Sequence, residues 1–169
     1  MHKVTIIVLF CFASFCNALA KEIKVYVFVA EECPISIFMC SSLKEISELY
    51  SGKADFILVF PLETSTSKTA NAFKSNNALQ LFEVRLDNRQ AFAKQLGVTV
   101  TPEVVITTDT KGSVLYRGRI NDAYLELGKR RHIYTNNDLN HALYLVTNGK
   151  EVPKPWRKAV GCFITFKRD

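Results

Sequence analysis

Strand-like and helix-like segments alternate along the first half of this chain, and this alternation constrains its fold more than any other feature. Lys24–Ala30 is a nearly unbroken apolar run, which predicts a strand buried on both faces of a sheet. Ser36–Tyr50 carries apolar residues at helical spacing and ends at Ser51-Gly52. The same pattern then recurs, with strands predicted at Ala54–Phe60 and Leu79–Leu86 and helices at Ser65–Ser75 and Arg89–Leu96. Three successive strand–helix units predict an α/β fold.

The second half of the chain has a different pattern. Glu103–Thr108 and Ser113–Ile120 are strand-like and flank a turn that contains Gly112, which predicts a β-hairpin. Asn136–Asn148 has the apolar spacing of a last helix. No repeat, low-complexity stretch or interdomain linker interrupts the chain, so we expect one domain.

Residues 1–20 have the pattern of a secretory signal peptide. Lys3 provides a positive charge, Val4–Phe15 is apolar, and Ala18-Leu19-Ala20 has the small residues of a cleavage site. An apolar stretch of about 13 residues is too short to span a bilayer comfortably. We therefore expect cleavage after Ala20, a mature domain at 21–169, no stable membrane span after cleavage, and export to the periplasm or the medium.

Export changes the cysteine count. Cys11 and Cys16 lie within the predicted signal peptide, which leaves Cys33, Cys40 and Cys162 in the mature chain. With three cysteines in an oxidising compartment, one thiol stays free, pairs with another chain, or takes part in exchange. One structural disulfide with one inert buried cysteine is an equally simple arrangement.

Cys33 occupies the position with the most distinctive chemistry. It directly follows a predicted strand and precedes a predicted helix, where backbone N–H groups and the helix dipole stabilise a thiolate. Ser36 stands where a dithiol motif would have its second cysteine, and its hydroxyl can hydrogen-bond the thiolate. Glu31 and Glu32 act in the opposite direction, because nearby negative charge raises the pKa of a thiol.

Two cysteines are candidate partners for Cys33. Cys40 lies seven residues further along the helix, about 10 Å along its axis, whereas a disulfide needs Cα atoms roughly 4.4–6.8 Å apart. Cys40 is therefore expected to be a small buried residue of the core. Cys162 lies on a tail containing Pro153, Pro155 and Trp156, and a tail that folds back to the helix would let Cys162 resolve Cys33 or be joined to it. Structural packing of Cys162, or its pairing with Cys40, stays open.

The Cys33-Pro34-x-Ser36 motif after a strand and Thr101-Pro102 before the hairpin resemble the thioredoxin-like superfamily over nearly all of the mature chain. The resemblance implies a single α/β domain with a central mixed sheet flanked by helices. It also implies a cis peptide bond at Pro102, facing the reactive thiol. Tyr116–Asp122 and the terminal Gly161-Cys162 are similar to exported bacterial redoxin-domain proteins, which are related to peroxiredoxins and thiol–disulfide oxidoreductases.

This resemblance implies an exported thiol–disulfide oxidoreductase of monothiol type that needs no cofactor. Cys33 would be the nucleophile, supported by Ser36, and Cys162 the candidate resolving thiol. The expected substrate-binding residues are Thr101, Pro102, Arg117 and Arg119. Its partners would be protein or small-molecule disulfides and a redox partner whose identity the sequence does not give.

Alternative functions are also consistent with parts of the sequence. A peroxiredoxin-like peroxidase is less well supported, because those enzymes place a Pro and a Thr shortly before the reactive cysteine and Phe28–Glu32 contains neither. A non-catalytic binding or copper-handling module is the other alternative, since Cys33, Cys162 and His132 are soft ligands of the kind that suit Cu(I). No metal is predicted for the preferred function.

The charge pattern argues against a nucleic-acid partner. The full chain has a net charge of +6, and most of its basic residues are scattered along the sequence. Nucleic-acid binding would call for a longer basic stripe with interleaved aromatic residues. We therefore expect no nucleic-acid partner.

Overall fold

A computed structural model describes residues 23–108 and 112–167 of the chain. The helices are α1 (Pro34–Leu49), α2 (Ser67–Asn76), α3 (Ala91–Leu96) and α4 (Asp138–Thr147). The strands are β1 (Ile23–Phe28), β2 (Asp55–Phe60), β3 (Phe82–Leu86), β4 (Val100–Thr101), β5 (Glu103–Thr108), β6 (Val114–Gly118), β7 (Tyr124–Glu126), β8 (Lys129–Arg130) and β9 (Cys162–Phe163). Their order along the chain agrees with the predicted alternation.

Five of the strands form one mixed sheet in the order β3-β2-β1-β5-β6. β1 pairs in parallel with β2, and β2 pairs in parallel with β3. β5 is antiparallel to both β1 and β6, which places the predicted hairpin at one side of the sheet. β1 is the central strand, and its central position explains why Lys24–Ala30 is apolar almost throughout.

The sheet separates two hydrophobic clusters, because successive side chains of a strand point to opposite faces. Val25 and Val27 pack in the larger cluster, with buried residues of α1, α2 and α4. Phe28 packs in the smaller cluster, with α3 and with Ile164 near the carboxyl terminus. The protein is therefore an α/β domain with a central mixed sheet between helices, as predicted.

Several elements begin one to three residues later than predicted, and two small sheets were not predicted at all. β3 begins at Phe82 rather than Leu79, after a turn in which Ala78 has a φ of 55°. α3 begins at Ala91 rather than Arg89, because Gln90 before it is left-handed, with a φ of 60°. The unpredicted sheets pair β4 with β9 and β7 with β8.

Some of the predictions fall on other parts of the chain. The signal peptide at residues 1–20 lies outside the described residues, as do Asp109, Thr110 and Lys111 of the predicted hairpin turn. Among the residues that are described, no helix is both long enough and apolar enough to cross a membrane.

Candidate functional site: a disulfide at the start of the first helix

Cys33 lies at the junction between the central strand and the first helix. It is the N-cap residue of α1, and Pro34 follows as the first helical residue, where the missing N–H of proline costs nothing. The carbonyl of Cys33 accepts the N–H of Ile37 at 3.1 Å, which starts the helical hydrogen bonding. Only 3% of the residue is exposed, and its Sγ lies 3.2 Å from the carbonyl oxygen of Thr101. The thiol position is therefore enclosed by protein.

A disulfide joins Cys33 to Cys162, across 129 residues of sequence, with Cα atoms 6.3 Å apart. This pairing selects one of the alternatives that the sequence leaves open. Cys40 is a free, buried cysteine, and burial raises the pKa of its thiol to about 12. The prediction that helix geometry keeps Cys40 away from Cys33 is confirmed.

The carboxyl-terminal tail brings Cys162 to this position through backbone pairing. β9 runs antiparallel to β4, with Cys162 opposite Thr101 and Phe163 opposite Val100. The N–H of Ile164 then donates to the carbonyl of Thr99 at 2.9 Å. Because these contacts follow Cys162 directly, its place in the site is fixed by a strand and not only by the disulfide.

The tail is also anchored further from the disulfide, on both sides. Before it, the ring of Trp156 packs against Tyr116, and the N–H of Arg119 donates to the carbonyl of Arg157 at 3.2 Å. After it, Gln90 donates from its side-chain amide to the carbonyl of Thr165 at 2.9 Å. The tail therefore crosses the domain as a bound segment.

Gly161 allows the tail to approach closely. A Cβ at this position would overlap the carbonyl oxygen of Thr101 and crowd the nitrogen of Pro102. Any residue with a side chain would push the tail outward, away from β4. Sequence analysis did not assign Gly161 a role, although a glycine beside a cysteine on an extended tail is a signal for close backbone approach.

The two thiols of the reduced form differ in acidity. Burial acts to raise the pKa of Cys33, but hydrogen bonds from the Cys162 thiol and from the backbone and hydroxyl of Ser36 outweigh it and lower that pKa. Burial and the neighbouring Cys33 raise the pKa of Cys162 to about 11. In the reduced form Cys33 is therefore the more acidic of the two thiols.

Ser36 has the place that its spacing from Cys33 predicts. It is fully buried on the first turn of α1, where its Oγ also accepts the N–H of Ala30 at 3.4 Å. Glu31 is turned toward α2, and its carboxylate accepts hydrogen bonds from the hydroxyls of Ser65 and Thr69. The acidic residues before Cys33 therefore do not prevent the lowering of its pKa.

The segment that contains Pro102 forms the opposite wall of the site. The Thr101–Pro102 peptide bond is cis, as the resemblance implies. Thr101 contacts both halves of the disulfide, because its carbonyl lies beside Cys33 and its hydroxyl lies 3.5 Å from the carbonyl of Cys162. The structure thus brings together Cys33, Ser36, Thr101 and Cys162.

The two arginines predicted to bind substrate make their contacts elsewhere. Arg117 donates to the carbonyl of Leu96 at 2.9 Å and lies 3.8 Å from the carboxylate of Glu103. Arg119 forms a 2.7 Å ion pair with Asp138, at the start of α4. Both contacts stabilise the domain, and a role for either arginine in substrate binding stays a prediction.

Among the described residues, metal ligands are not clustered around the disulfide. His132 is exposed in the loop after β8. Within 23–108 and 112–167, no group of three or more His, Cys, Asp or Glu side chains is placed to hold a metal ion.

Comparison with known proteins places this fold. No protein-family model matches the chain, and no curated protein matches it. A hypothetical protein from Sinorhizobium meliloti 1021 has a similar structure, with a TM-score of 0.74 and 21% identity, covering 89% of this chain and 82% of that one. An uncharacterized conserved protein from Geobacillus kaustophilus gives a TM-score of 0.74 at 20% identity, covering 88% and 79%.

A third similar structure has a described activity. It is a secreted disulfide oxidoreductase of Mycobacterium tuberculosis, with a TM-score of 0.52 and 15% identity, covering 74% of this chain and 81% of that one. Identities this low show the fold alone. The chain has a thioredoxin-like fold, as its Cys33 and Pro102 motifs predict.

Proposed function

We propose that this protein is an exported thiol–disulfide oxidoreductase whose redox-active pair is Cys33 and Cys162. The observation that carries the proposal is the disulfide itself, which joins a tail cysteine to the cysteine at the amino terminus of α1. A helix amino terminus stabilises a thiolate, and a stabilised thiolate is both a good nucleophile and a good leaving group in disulfide exchange. The motif is monothiol in sequence, since Ser36 replaces a nearby second cysteine, but the pair is completed from the tail.

The substrates in this proposal are disulfides or dithiols of proteins or small molecules, exchanged with a second redox partner. Export rests on the predicted signal peptide and on the compartments in which disulfides persist. Arg117 and Arg119 would contribute to substrate binding through their charge, beyond their contacts with Glu103 and Asp138.

The test is an exchange assay with matched cysteine variants. Wild-type protein should catalyse insulin reduction in the presence of a dithiol, and Cys33→Ser and Cys162→Ser should each reduce the rate to background. Cys40→Ala is the control, because Cys40 is buried and takes no part in the disulfide. Equal rates for the wild type and both site variants would rule out the oxidoreductase function.

A second candidate is a non-catalytic thioredoxin-fold module in which the disulfide is structural. The 3% exposure of Cys33 and the anchoring of the tail on both sides of Cys162 favour it. The reduction potential of the pair distinguishes the two functions, since structural disulfides lie below about −300 mV and exchange-active pairs lie at roughly −270 to −120 mV. Equilibration with dithiothreitol and glutathione buffers measures it.

A further inference from the structure

We infer that a partner's thiolate attacks Cys162 and not Cys33, so that Cys33 is the leaving sulfur when the disulfide opens. This inference rests on the proposed oxidoreductase function and deepens it, because it assigns a role to each sulfur. It also reverses the roles that the sequence predicts, in which Cys33 is the nucleophile toward substrate and Cys162 the resolving thiol.

Access is the first argument. A disulfide can be opened only at a sulfur that the attacking thiolate reaches. Cys33 is 3% exposed and lies beneath the carbonyl of Thr101. Cys162 is partly exposed. It is therefore the more exposed cysteine of the pair.

The pairing of the tail is the second argument, because it keeps Cys33 covered. Gly161 lies against Thr101 and Pro102, β9 pairs with β4, and Ile164 is buried in the smaller cluster. None of these contacts involves a sulfur, so opening the disulfide breaks none of them directly. An attack on Cys33 would first require this strand to detach, whereas an attack on Cys162 does not.

The stability of the leaving group is the third argument. A thiol with a lower pKa leaves faster in exchange. Burial acts to raise the pKa of Cys33, but hydrogen bonds lower it overall, and those from the backbone and hydroxyl of Ser36 remain when Cys162 is held in a mixed disulfide. Breaking the bond toward Cys33 therefore places the charge where the protein stabilises it.

The exchange balances as a two-electron transfer from a partner dithiol. The first partner thiolate bonds to Cys162 Sγ, the Cys33–Cys162 bond breaks, and its electron pair remains on Cys33 as a thiolate. The second partner thiol, deprotonated to solvent, then bonds to the first partner sulfur and releases Cys162, which takes up a proton from solvent. The partner is oxidised to a disulfide, and Cys33–Cys162 is reduced.

In the opposite direction the same steps run in reverse. The mixed disulfide again forms on Cys162, and the covered Cys33 thiolate attacks it from within the protein. Cys33 is thus the internal resolving thiol in this direction, and its burial does not oppose the reaction because its target is already held beside it by β9.

Mapping the mixed disulfide of a monothiol tests the inference. Oxidised full-chain protein is exposed briefly to glutathione at neutral pH, quenched with acid, denatured and alkylated, and its cysteine peptides are analysed by mass spectrometry. Because glutathione has one thiol, it has no second thiol with which to release itself from the mixed disulfide. We expect glutathione on Cys162 and the alkyl group on Cys33, with an excess on the order of ten-fold over the reverse labelling. Cys40→Ala is the control, and its labelling should match the wild type.

The outcomes separate this inference from the proposed function. Glutathione mainly on Cys33, or equally on both cysteines, overturns the inference and leaves the oxidoreductase function in place. A disulfide that glutathione and a dithiol both fail to open overturns the inference together with that function.

Variants that lack one cysteine of the pair give a second, independent measurement. Cys33→Ser leaves Cys162 of the pair for reaction, and Cys162→Ser leaves Cys33. Each variant is reacted with glutathione disulfide, and its rate is corrected for the thiolate fraction taken from its own pH profile. Cys162 should then react on the order of ten-fold faster than Cys33. A small reagent, methyl methanethiosulfonate, should reduce that difference because it needs less access. Equal rates with glutathione disulfide would overturn the inference.

Discussion

The two ends of the Cys33–Cys162 disulfide are held by different kinds of structure. Cys33 is placed by neighbouring sequence, since the end of β1 and the start of α1 fix its backbone and Ser36 lies one turn away. Cys162 is placed by distant sequence, through pairing of β9 with β4 and the fit of Gly161 against Thr101. Ser36 and the Cys162 thiol together lower the pKa of Cys33, while the tail sets the access to the pair.

Stabilising a thiolate and receiving a partner are two tasks, and they fall to different parts of this molecule. Near Cys33, hydrogen bonds outweigh the effect of burial and favour the thiolate once the bond is open. Near Cys162, partial exposure offers the point of contact with a partner. The two residues that share these tasks are 129 residues apart in sequence.

Loss of the disulfide should give the largest change in stability. The disulfide closes a loop of 129 residues, and loss of a disulfide costs typically about 2–5 kcal/mol of unfolding free energy, through the larger entropy of the unfolded chain. We expect reductant to lower the denaturation midpoint of the wild type and of Cys40→Ala, but not that of Cys162→Ser. Denaturant titrations with and without reductant measure this.

An unchanged midpoint on reduction of the wild type would contradict the expectation. It would mean that closing this loop adds nothing to the stability of the folded chain.

Gly161→Ala should have the next largest effect, because it acts on the tail and leaves the Cys33 segment intact. Its Cβ would overlap the carbonyl oxygen of Thr101, so β9 must shift outward. Overpacking of this kind costs roughly 1–3 kcal/mol, and re-oxidation of the reduced protein should slow as Cys162 moves from Cys33. Denaturant titration and thiol quantification during re-oxidation measure both effects. Lys158→Ala, an exposed change in the same tail, is the control.

Stability and re-oxidation equal to the wild type in Gly161→Ala would show that the tail tolerates a looser fit than its contacts imply.

The same contrast explains how much of the molecule could be predicted from its sequence. The alternating strands and helices, the cis peptide bond before Pro102 and the position of Cys33 follow from local patterns and from a family resemblance. β4 and β9 have two residues each, too few for a periodic signal, and they pair across a little over a third of the chain. The Cys33–Cys162 pairing was therefore one of several open alternatives, which only tertiary structure could decide.

Arg117 and Arg119 illustrate a different limit. They were expected to bind substrate, but sequence alone gives no direction for a long side chain. In the structure Arg117 is directed to Glu103 on β5, and Arg119 is directed to Asp138 at the start of α4. Neither partner is adjacent to its arginine in the sequence.

Ser36→Ala should alter the chemistry of Cys33 without moving the tail. The change removes a hydroxyl that helps to lower the pKa of Cys33, so that pKa should rise. We expect alkylation of the reduced protein near neutral pH to slow several-fold, measured with iodoacetamide over a pH series. Ser41→Ala, on an exposed part of the same helix, should match the wild type. An unchanged pH profile for Ser36→Ala would assign the lowered pKa to the helix and to Cys162 instead.

The smallest expected effect is a pH dependence of the stability of the reduced protein. The folded-state pKa of Cys33 is lowered from its ordinary value of 9.0, so its contribution to stability is fully present above that value and is lost as pH falls through the lowered pKa. Cys162 has the opposite sign and acts at higher pH, because its pKa is raised to about 11. Between the lowered pKa of Cys33 and pH 9.0, stability of the reduced wild type should therefore rise with pH relative to that of reduced Cys33→Ser. Oxidised wild type has neither thiol and should not show this rise. Denaturant titrations of the two reduced proteins and of the oxidised wild type across this pH range measure the difference. A parallel rise in reduced Cys33→Ser would show that other groups titrate, and that the acidity of the pair is not set at the start of α1.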